Sequence, residues 1–355
     1  MTLIKKPPTI QDVAREANVS TATVSRALSN PERVSELTRE RVSAAVLSTG
    51  YTINQAAQSL RLKTARTIVI AFPNIGNPFY SNVLDAAVHE ASSRGYCALV
   101  ANRLGDDPTR WLRDYFRSNR ADGMVLFDGS LDTGQLQGLR TPLGKFPLVV
   151  ACDELPDNRL HSVMIDNRIA ARDATRHLIG LGHRKIVHIH SPSKNQSMSS
   201  DRLLGFLEAM LEAQITVPPG WVIDGDFSMI SGEQAGEIFL KLSDRPTAAF
   251  AANDEMAIGF LAALRAAGVD CPRDISVVGF DDISVARCYV PPLTTMRQPR
   301  EEIGRLATKT LLDILESDTQ RRNPMHIVLK SDLIIRQSTA PLVAAPAPKR
   351  SAINA

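Results

Sequence analysis

The sequence has few cysteines and lacks the cysteine spacing of a metal-binding knuckle. Its 355 residues contain four cysteines, far apart along the chain, with no C-x-x-C pair. This usage indicates a reducing compartment and argues against a structural zinc site. We therefore expect no metal ion and no cofactor.

Long apolar runs are also missing. None is long enough to cross a bilayer, and the first residues, MTLIKKPPT, lack the apolar stretch of a signal peptide. We expect a cytoplasmic, nucleoid-associated protein without membrane contact. No motif resembles a nucleophile elbow, a phosphate-binding loop or a zinc-enzyme signature, so the sequence predicts a protein that is not an enzyme.

Strong net charge is absent from the chain as a whole, which carries only +3. The basic excess is local, because the first 66 residues contain ten Lys or Arg against five Asp or Glu. The remaining residues are therefore slightly acidic. A basic head on a near-neutral body is typical of a protein that binds phosphate through the head alone.

Residues 9–28 predict two short helices joined by a tight turn. Thr9 can cap the first helix, with Asp12 in the acidic position of a capping box, and Ser20 can cap the second. In the second helix the apolar residues point inward, and small polar residues and one arginine face outward. The outward residues are Thr21, Ala22, Thr23, Ser25 and Arg26. This pattern favours a recognition helix in a DNA groove; the alternative is an ordinary helical hairpin with a solvated face.

The rest of the head continues with a loop and a third helix over residues 30–50, where Leu37 and Leu47 are among the residues expected to close a small core. Residues 54–60 are compatible with a short helix, and 61–66 form a polar linker. We therefore place a helix-turn-helix domain at residues 1–53 and a hinge segment at residues 54–66.

From Thr67 onward, apolar strands alternate with helical segments. This alternation predicts parallel sheets covered on both faces, and a second set begins after Asp166. We expect an α/β body, residues 67–339, with two doubly wound sheets in series and a ligand cleft between two lobes. The Ala- and Pro-rich residues 340–355 predict a disordered tail without a heptad repeat, so a dimer is favoured over a tetramer.

Four histidines could be read as a metal cluster. They are His177, His183, His188 and His190. No cysteine or carboxylate completes a ligand set at suitable spacing, so we expect structural roles. Asp281 and Asp282 could be a catalytic carboxylate pair, but adjacent residues on an extended chain point apart.

A series of motifs in order carries a family resemblance over residues 9–339. They are IQDVAREANVSTATVSRAL, NPERVSELTRERV, PNIGNPFY, LGHRKIVHI, AANDEMAIG, SVVGFDD and PPLTTMRQP. The chain resembles the LacI family of bacterial transcriptional repressors, and STATVSRAL, GDF and DLIIRQST look closest to its cytidine-responsive branch. The resemblance implies a helix-turn-helix head and a body with the fold of periplasmic binding proteins. His183, in LGHRKI, is structural in that family.

For the head, the resemblance implies three sets of DNA contacts. Thr21, Ala22 and Arg26 would face bases in the major groove. The residues near phosphates would be Thr9, Ser20, Thr23, Ser25 and Asn30. Ala57 and Leu60 would belong to a hinge helix, with Leu60 wedged into the minor groove. The alternative for Leu60 is packing on the body.

For the body, the resemblance implies an effector site between the lobes. The predicted ligand contacts are Phe79, Tyr80, Arg202, Phe227, Asn253 and Asp281. Such a set suits a sugar or a nucleoside. The alternatives are that Phe79 and Phe227 are core residues and that Asn253 caps a helix.

Three positions depart from relatives. Gln196 and Met198 replace an Arg and a Thr of purine-binding members, which argues against a purine base. Cys152 stands where sugar-binding members often have Asp, and Asp153 is the candidate to replace that contact. Together these features predict a dimeric repressor of a pseudo-palindromic operator, controlled by a small effector; a solute-binding protein of a transport system is the alternative.

Overall fold

The structure is a computed structural model that describes residues 7–52, 64–102, 120–127, 147–153, 160–192, 197–317 and 323–342. The chain forms two compact units, Met1–Ala65 and Arg66–Ala355, here called the head and the body. The predicted hinge helix, with Ala57 and Leu60, lies outside the described residues, as does Gln196.

The described part of the head contains three α-helices, as predicted. They are α1 (Ile10–Glu16), α2 (Thr21–Ser29) and α3 (Glu36–Thr49), with a short 3-10 turn at Pro31–Arg33. Polar side chains fix where the first two begin. The Asp12 carboxylate accepts hydrogen bonds from the Thr9 backbone N–H (2.9 Å) and hydroxyl (2.7 Å), and the Ser20 hydroxyl accepts one from the Thr23 N–H (3.1 Å).

The head closes over a small core in which Val13, Val24 and Val42 are almost completely buried. The expectation that Leu37 and Leu47 belong to this core is wrong, because they are 69% and 84% exposed. Each lies five residues from Val42 along α3. At 3.6 residues per turn that separation is about 140° around the helix, so both side chains point away from the core.

The body contains two six-stranded sheets, one in each lobe. The sheet of the first lobe has the order β11-β5-β4-β3-β1-β2, and all its described pairs are parallel. Its strands are β1 (Thr67–Phe72), β2 (Cys97–Asn102), β3 (Gly123–Leu126), β4 (Leu148–Ala151), β5 (His161–Ile165) and β11 (His326–Leu329). Strands β3 and β4 are buried throughout, as the continuous apolar runs predict.

The sheet of the second lobe has the order β12-β10-β9-β8-β6-β7 and is parallel except for the β10–β12 pair. Its strands are β6 (Ile186–His190), β7 (Val222–Asp224), β8 (Ala248–Ala251), β9 (Ser276–Asp281), β10 (Thr294–Arg297) and β12 (Asp332–Ile334). A 3-10 turn at Pro219–Trp221 leads into β7.

The described α-helices of the body pack in pairs on these sheets. They are α4 (Phe79–Ser93) with α9 (Arg300–Glu316), α5 (Asn167–Gly180) with α6 (Ser197–Glu212), and α7 (Met229–Leu240) with α8 (Asp254–Ala266). The pair α7–α8 approaches closely because Gly259 lies at the contact. A Cβ atom there would be 1.9 Å from the Met229 carbonyl oxygen, so a side chain would separate the helices. No helix in the described part of the chain could span a membrane.

The two sheets are not strictly in series, which corrects the sequence-based expectation. The chain passes to the second lobe after β5, returns to the first lobe between β10 and α9, and leaves it again between β11 and β12. Alternation of strands and helices identifies the elements but not the sheet that each strand joins. Within the described residues the chain therefore passes between the lobes at three places.

The predicted tail begins too early. The Ala340 N–H donates to the Ser276 hydroxyl (3.0 Å), and the Leu342 N–H donates to the Leu181 carbonyl (2.8 Å). These bonds hold residues 340–342 on the second lobe. The remaining residues of the predicted tail, 343–355, lie outside the described residues.

Candidate DNA-reading helix and effector cavity

Helix α2 presents the outward face that the sequence predicts. Thr21, Ala22 and Arg26 are exposed, Thr23 and Ser25 are half-buried, and Val24 and Ala27 are buried beneath them. The Arg26 guanidinium makes no hydrogen bond or ion pair with any described residue. A free guanidinium beside short side chains is sterically suited to a base edge in a major groove.

The flanking positions of the head are partly engaged within the protein. Asn30 is exposed just after α2, whereas the hydroxyls of Thr9 and Ser20 already bond to Asp12 and Thr23. Their backbone positions nevertheless lie at helix N-termini, where N–H groups attract phosphate. Contacts of these residues with DNA stay predictions.

The body contains a cavity of about 460 Å³ at the carboxyl ends of strands from both lobes. The six predicted effector contacts all line it. They are Phe79, Tyr80, Arg202, Phe227, Asn253 and Asp281. Binding by these residues stays a prediction, but the structure brings them to one site although they are spread over about two hundred residues of chain.

Arg202 is the most buried cation of the cavity, with 3% exposure. Its Nε donates to Asn167 Oδ1 (2.9 Å), its Nη1 donates to the Ala252 carbonyl (2.6 Å), and its guanidinium lies 3.8 Å from the centre of the Phe280 ring. Burial lowers the pKa of this guanidinium, while nearby Asp281 opposes the change. These hydrogen bonds use Nε and Nη1, so within the described residues Nη2 remains available as a donor for a ligand.

Asp281 faces Arg202 across the cavity wall, with 3.9 Å between its Oδ1 and Arg202 Nη1. Its Oδ1 also accepts a hydrogen bond from Gln298 Nε2 (2.7 Å), and its Oδ2 makes none with the described residues. Burial raises the pKa of this carboxyl to about 6, and the Arg202 charge opposes that rise. The backbone of Asp281 has a φ of 115°, which is a strained conformation for a non-glycine residue. This conformation sets the direction of the Asp281 side chain at the end of β9.

Asn253 both caps a helix and lines the cavity. Its Oδ1 accepts from the Met256 N–H (2.9 Å) at the start of α8, as the alternative interpretation requires. Its Nδ2 donates to the Phe227 carbonyl (2.9 Å) and holds that residue at a φ of 67°. Asn253 thereby fixes the loop that presents the half-buried Phe227 ring.

Phe79 and Tyr80 are likewise core residues and cavity residues at once. They are 5% and 7% exposed and belong to an aromatic cluster with Phe72 and Phe127. The two interpretations offered by the sequence therefore do not exclude each other. A rigid aromatic cluster presents a fixed apolar wall to a ligand.

Two residues near the cavity were missed or misplaced by sequence reasoning. Gln298, in the motif MRQP, lines the cavity and binds Asp281, but nothing in its spacing marks it as a site residue. Asp153 does not take the place of the missing carboxylate at Cys152. Cys152 lines the effector cavity, while Asp153 lines a neighbouring cavity of about 210 Å³.

The histidines have structural partners, although the His188 and His190 rings are neighbours with 5.9 Å between their centres. His183 binds the Thr247 and Ser276 hydroxyls (2.9 and 3.0 Å), and His188 is stacked between Phe206 and Phe250 and bonds to the Phe250 carbonyl (2.9 Å). Burial lowers the pKa of His188 to about 3. In the described ranges, no three His, Cys, Asp or Glu residues are grouped to hold a metal ion.

A helix-turn-helix head joined to a two-lobed α/β body with a polar cavity defines a class: DNA-binding regulators with a ligand-sensing domain. Comparison with known proteins gives the family. Residues 9–54 match the model "Bacterial regulatory proteins, lacI family", and residues 175–339 match "Periplasmic binding protein-like domain". The chain belongs to the LacI family and is a DNA-binding transcriptional regulator.

Similar proteins share nearly the full length. The HTH-type transcriptional repressor CytR of Escherichia coli K12 is 36% identical over 337 residues, covering 94% of this chain and 97% of CytR. PurR of Photobacterium profundum is 35% identical, covering 94% and 99%. The structure of the Lac repressor dimer bound to operator and the anti-inducer ONPF is 29% identical, with a TM-score of 0.84 and coverage of 94% and 100%.

Proposed function

We propose that this protein is a dimeric repressor that binds a pseudo-palindromic operator through α2 and is controlled by a sugar or a nucleoside. One observation carries the effector part of the proposal. Arg202 and Asp281 are buried side by side, with 3.9 Å between Nη1 and Oδ1, and the hydrogen bonds that they make with described residues leave Arg202 Nη2 and Asp281 Oδ2 available to a ligand. A ligand hydroxyl can accept from the first and donate to the second.

The rest of the cavity supports the same ligand class. Phe79, Tyr80 and Phe227 provide apolar surface for a flat ring, and the volume of about 460 Å³ is within the range of small-molecule sites. Met198, which lines the cavity, offers no hydrogen bond to a base edge, which disfavours a purine. We infer a pentose or hexose, free or as a pyrimidine nucleoside.

The relatives support the remaining parts. CytR and PurR are named as repressors, and the Lac repressor structure is a dimer on its operator. We propose the same assembly for this chain, with half-sites about one helical turn apart. We also propose that it acts in the cytoplasm at the nucleoid and catalyses no reaction. A role as a solute-binding protein would leave the head without a function.

The proposed base contact is tested by Arg26→Ala. The variant should bind its operator about 1–3 kcal/mol more weakly and with relaxed base choice, because one bidentate contact is lost. The operator is first selected from random duplexes with the wild type, and affinities are measured by fluorescence anisotropy at several salt concentrations. Arg39→Ala, which removes the same charge from α3, is the control: it should change salt dependence without changing base choice. Unchanged selectivity of Arg26→Ala contradicts the proposal.

The effector site is tested by thermal-shift measurements with cytidine, uridine, adenosine, ribose and glucose. A ligand at a hundred times its dissociation constant stabilises the body by about 2.7 kcal/mol. Asp281→Asn should bind the stabilising ligand at least ten times more weakly than the wild type. Asp244→Asn, which changes an exposed carboxylate paired with Lys185, should keep the wild-type affinity. If the wild type responds and Asp281→Asn responds equally, the cavity is not the effector site.

A further inference from the structure

A carboxylate of the first lobe caps a helix of the second. Asp153, 3% exposed, follows β4 of the first lobe, and its Oδ1 accepts hydrogen bonds from the Ser197 hydroxyl and from the Met198 backbone N–H (3.3 Å). Ser197 and Met198 begin α6, which packs in the second lobe. A negative charge interacts favourably with a helix N-terminus, and burial strengthens this interaction.

This bond joins the two walls of the effector cavity. Helix α6 carries Met198 and Arg202, which line the cavity from the second lobe, and Cys152, next to Asp153, lines it from the first. A change in the distance between the lobes must therefore stretch the Asp153 contact, move the start of α6, or both. Because Arg202 lies on the second turn of that helix, its guanidinium would be displaced as well.

The cavity side chains also hold two of the places where the chain passes between lobes. Arg202 Nε binds Asn167, the first residue of α5, immediately after the chain leaves β5. Asp281 binds Gln298, which follows β10 and precedes α9 on the way back to the first lobe. Arg202 and Asp281, which are proposed to bind the effector, are thus hydrogen-bonded directly to the inter-lobe connections.

We propose that Asp153 is a latch between the lobes, a positioning residue that sets their separation and holds Arg202 in place for the effector. This inference rests on the proposed function for its purpose, but the latch itself exists without ligand. When Asp153 releases the start of α6, the lobes separate and the cavity loses its preformed geometry. Effector occupancy and lobe separation are coupled through this contact.

The chain offers a matched control for Asp153. Asp166 also lines the 210 Å³ cavity and also caps a helix, since its Oδ1 accepts from the Ile169 N–H (2.8 Å) at the start of α5. Its contact is local in sequence, because Asp166 and Ile169 both belong to the segment with which the chain enters the second lobe. Asp153→Ala and Asp166→Ala each remove one helix-capping carboxylate, but only the first breaks a bond between lobes. Asp153→Asn keeps an amide oxygen that can accept both bonds.

The test measures the distance between lobes in the full-length protein without ligand. Spin labels are attached to Ser93→Cys in α4 and Glu237→Cys in α7, both exposed positions, after the exposed Cys97 and Cys288 are changed to Ser. Labelled protein is diluted into unlabelled protein so that only distances within one chain are read. Asp153→Ala should shift the distribution to longer distances, while Asp153→Asn and Asp166→Ala should keep that of the wild type.

Each outcome decides the proposal. An Asp153→Ala distribution equal to that of the wild type overturns the latch, and an equal shift in Asp166→Ala reduces it to an ordinary helix cap and overturns it too. Loss of the wild-type distance in Asp153→Asn, which keeps an acceptor for both bonds, also overturns the latch, because these hydrogen bonds would then not set the separation of the lobes. If the shift is present but none of the five test ligands stabilises the wild type, the proposed effector class fails while the latch stands.

Discussion

The buried residues of the head and of the body are of different kinds. Among the described residues of the head, the almost fully buried apolar side chains are valines and alanines: Val13, Ala14, Ala17, Val24, Ala27, Val42 and Ala45. The described part of the body contains six completely buried phenylalanines, namely Phe72, Phe206, Phe239, Phe250, Phe260 and Phe280. Since burial free energy grows with apolar area, the head depends more on local capping and the body on its large core.

The two regions also differ in where function lies. The head uses an outer helix face, so its candidate residues are those that the core does not need. The proposed effector site of the body is an interior cavity, and some of the side chains that line it also belong to the core. Phe79 is in the core cluster and also lines the cavity. A periodic pattern reveals the first kind of site more readily than the second.

The largest effect is expected for Phe206→Ala, which tests whether the body depends on its large buried core. Phe206 is completely buried against His188, with 5.0 Å between ring centres, so the variant should destabilise the body by about 3–5 kcal/mol. Urea unfolding followed by tryptophan fluorescence reports on the body alone, because both tryptophans, Trp111 and Trp221, follow the head in sequence. Phe206→Leu should reduce the stability of the body by less than Phe206→Ala does. Equal stability of Phe206→Ala and wild type at the same protein concentration would contradict the contrast.

A second test uses the pH dependence of the body. Burial lowers the pKa of His188 to about 3, whereas an unfolded histidine titrates near 6.5. The unfolded chain therefore binds an extra proton between these values. The stability contributed by neutral His188 is complete above pH 6.5 and declines as the pH falls toward 3, by up to about 1.4 kcal/mol per pH unit.

The comparison that isolates this effect is His188→Phe. The variant loses the bond to the Phe250 carbonyl and is less stable at neutral pH, but its unfolding free energy should vary less steeply between pH 6.5 and 4. Raised pKa values at Asp254 and Asp281, caused mainly by burial, act in the opposite direction in both proteins. Identical slopes in urea titrations would show that His188 is not protonated on unfolding.

The smallest expected effect belongs to the head. Ser20→Ala removes the hydroxyl that caps α2 and should cost about 1 kcal/mol, measured as faster amide exchange in α1 and α2. Ser35→Ala is the control, because the Ser35 hydroxyl at the start of α3 bonds to the Thr38 hydroxyl and not to a backbone N–H. Exchange in the body should stay unchanged. An equal effect of the two variants would show that capping does not stabilise the head.

Local signals predicted much of the fold. The capping residues Thr9 and Ser20 locate α1 and α2, and the apolar run at residues 248–251 coincides with β8. The expected inward position of Leu37 and Leu47 failed because apolar character alone does not say which side of α3 meets the other helices. The predicted order of strands in the two lobes failed because β11 pairs with β5, which lies far earlier in the sequence, and β12 pairs with β10 rather than with its sequence neighbour β11.

The candidate site shows the same division. Arg202 and Asp281 were found by resemblance to family motifs, whereas Gln298 was missed because its partner Asp281 lies seventeen residues away. Asp153 was assigned to the ligand because it follows Cys152. Adjacent residues at the end of a strand point to different sides, and Asp153 turns toward α6 instead.

The sequence by itself determined the helix-turn-helix head, the outward face of α2 and the alternating α/β body, because capping residues and apolar periodicity act within a few positions of the chain. Only the tertiary structure decided how the chain passes between the lobes, which polar atoms of the cavity stay unpaired, and that Asp153 connects the lobes. Those features depend on contacts between segments far apart in sequence, and the geometry of such contacts is set by packing rather than by local pattern.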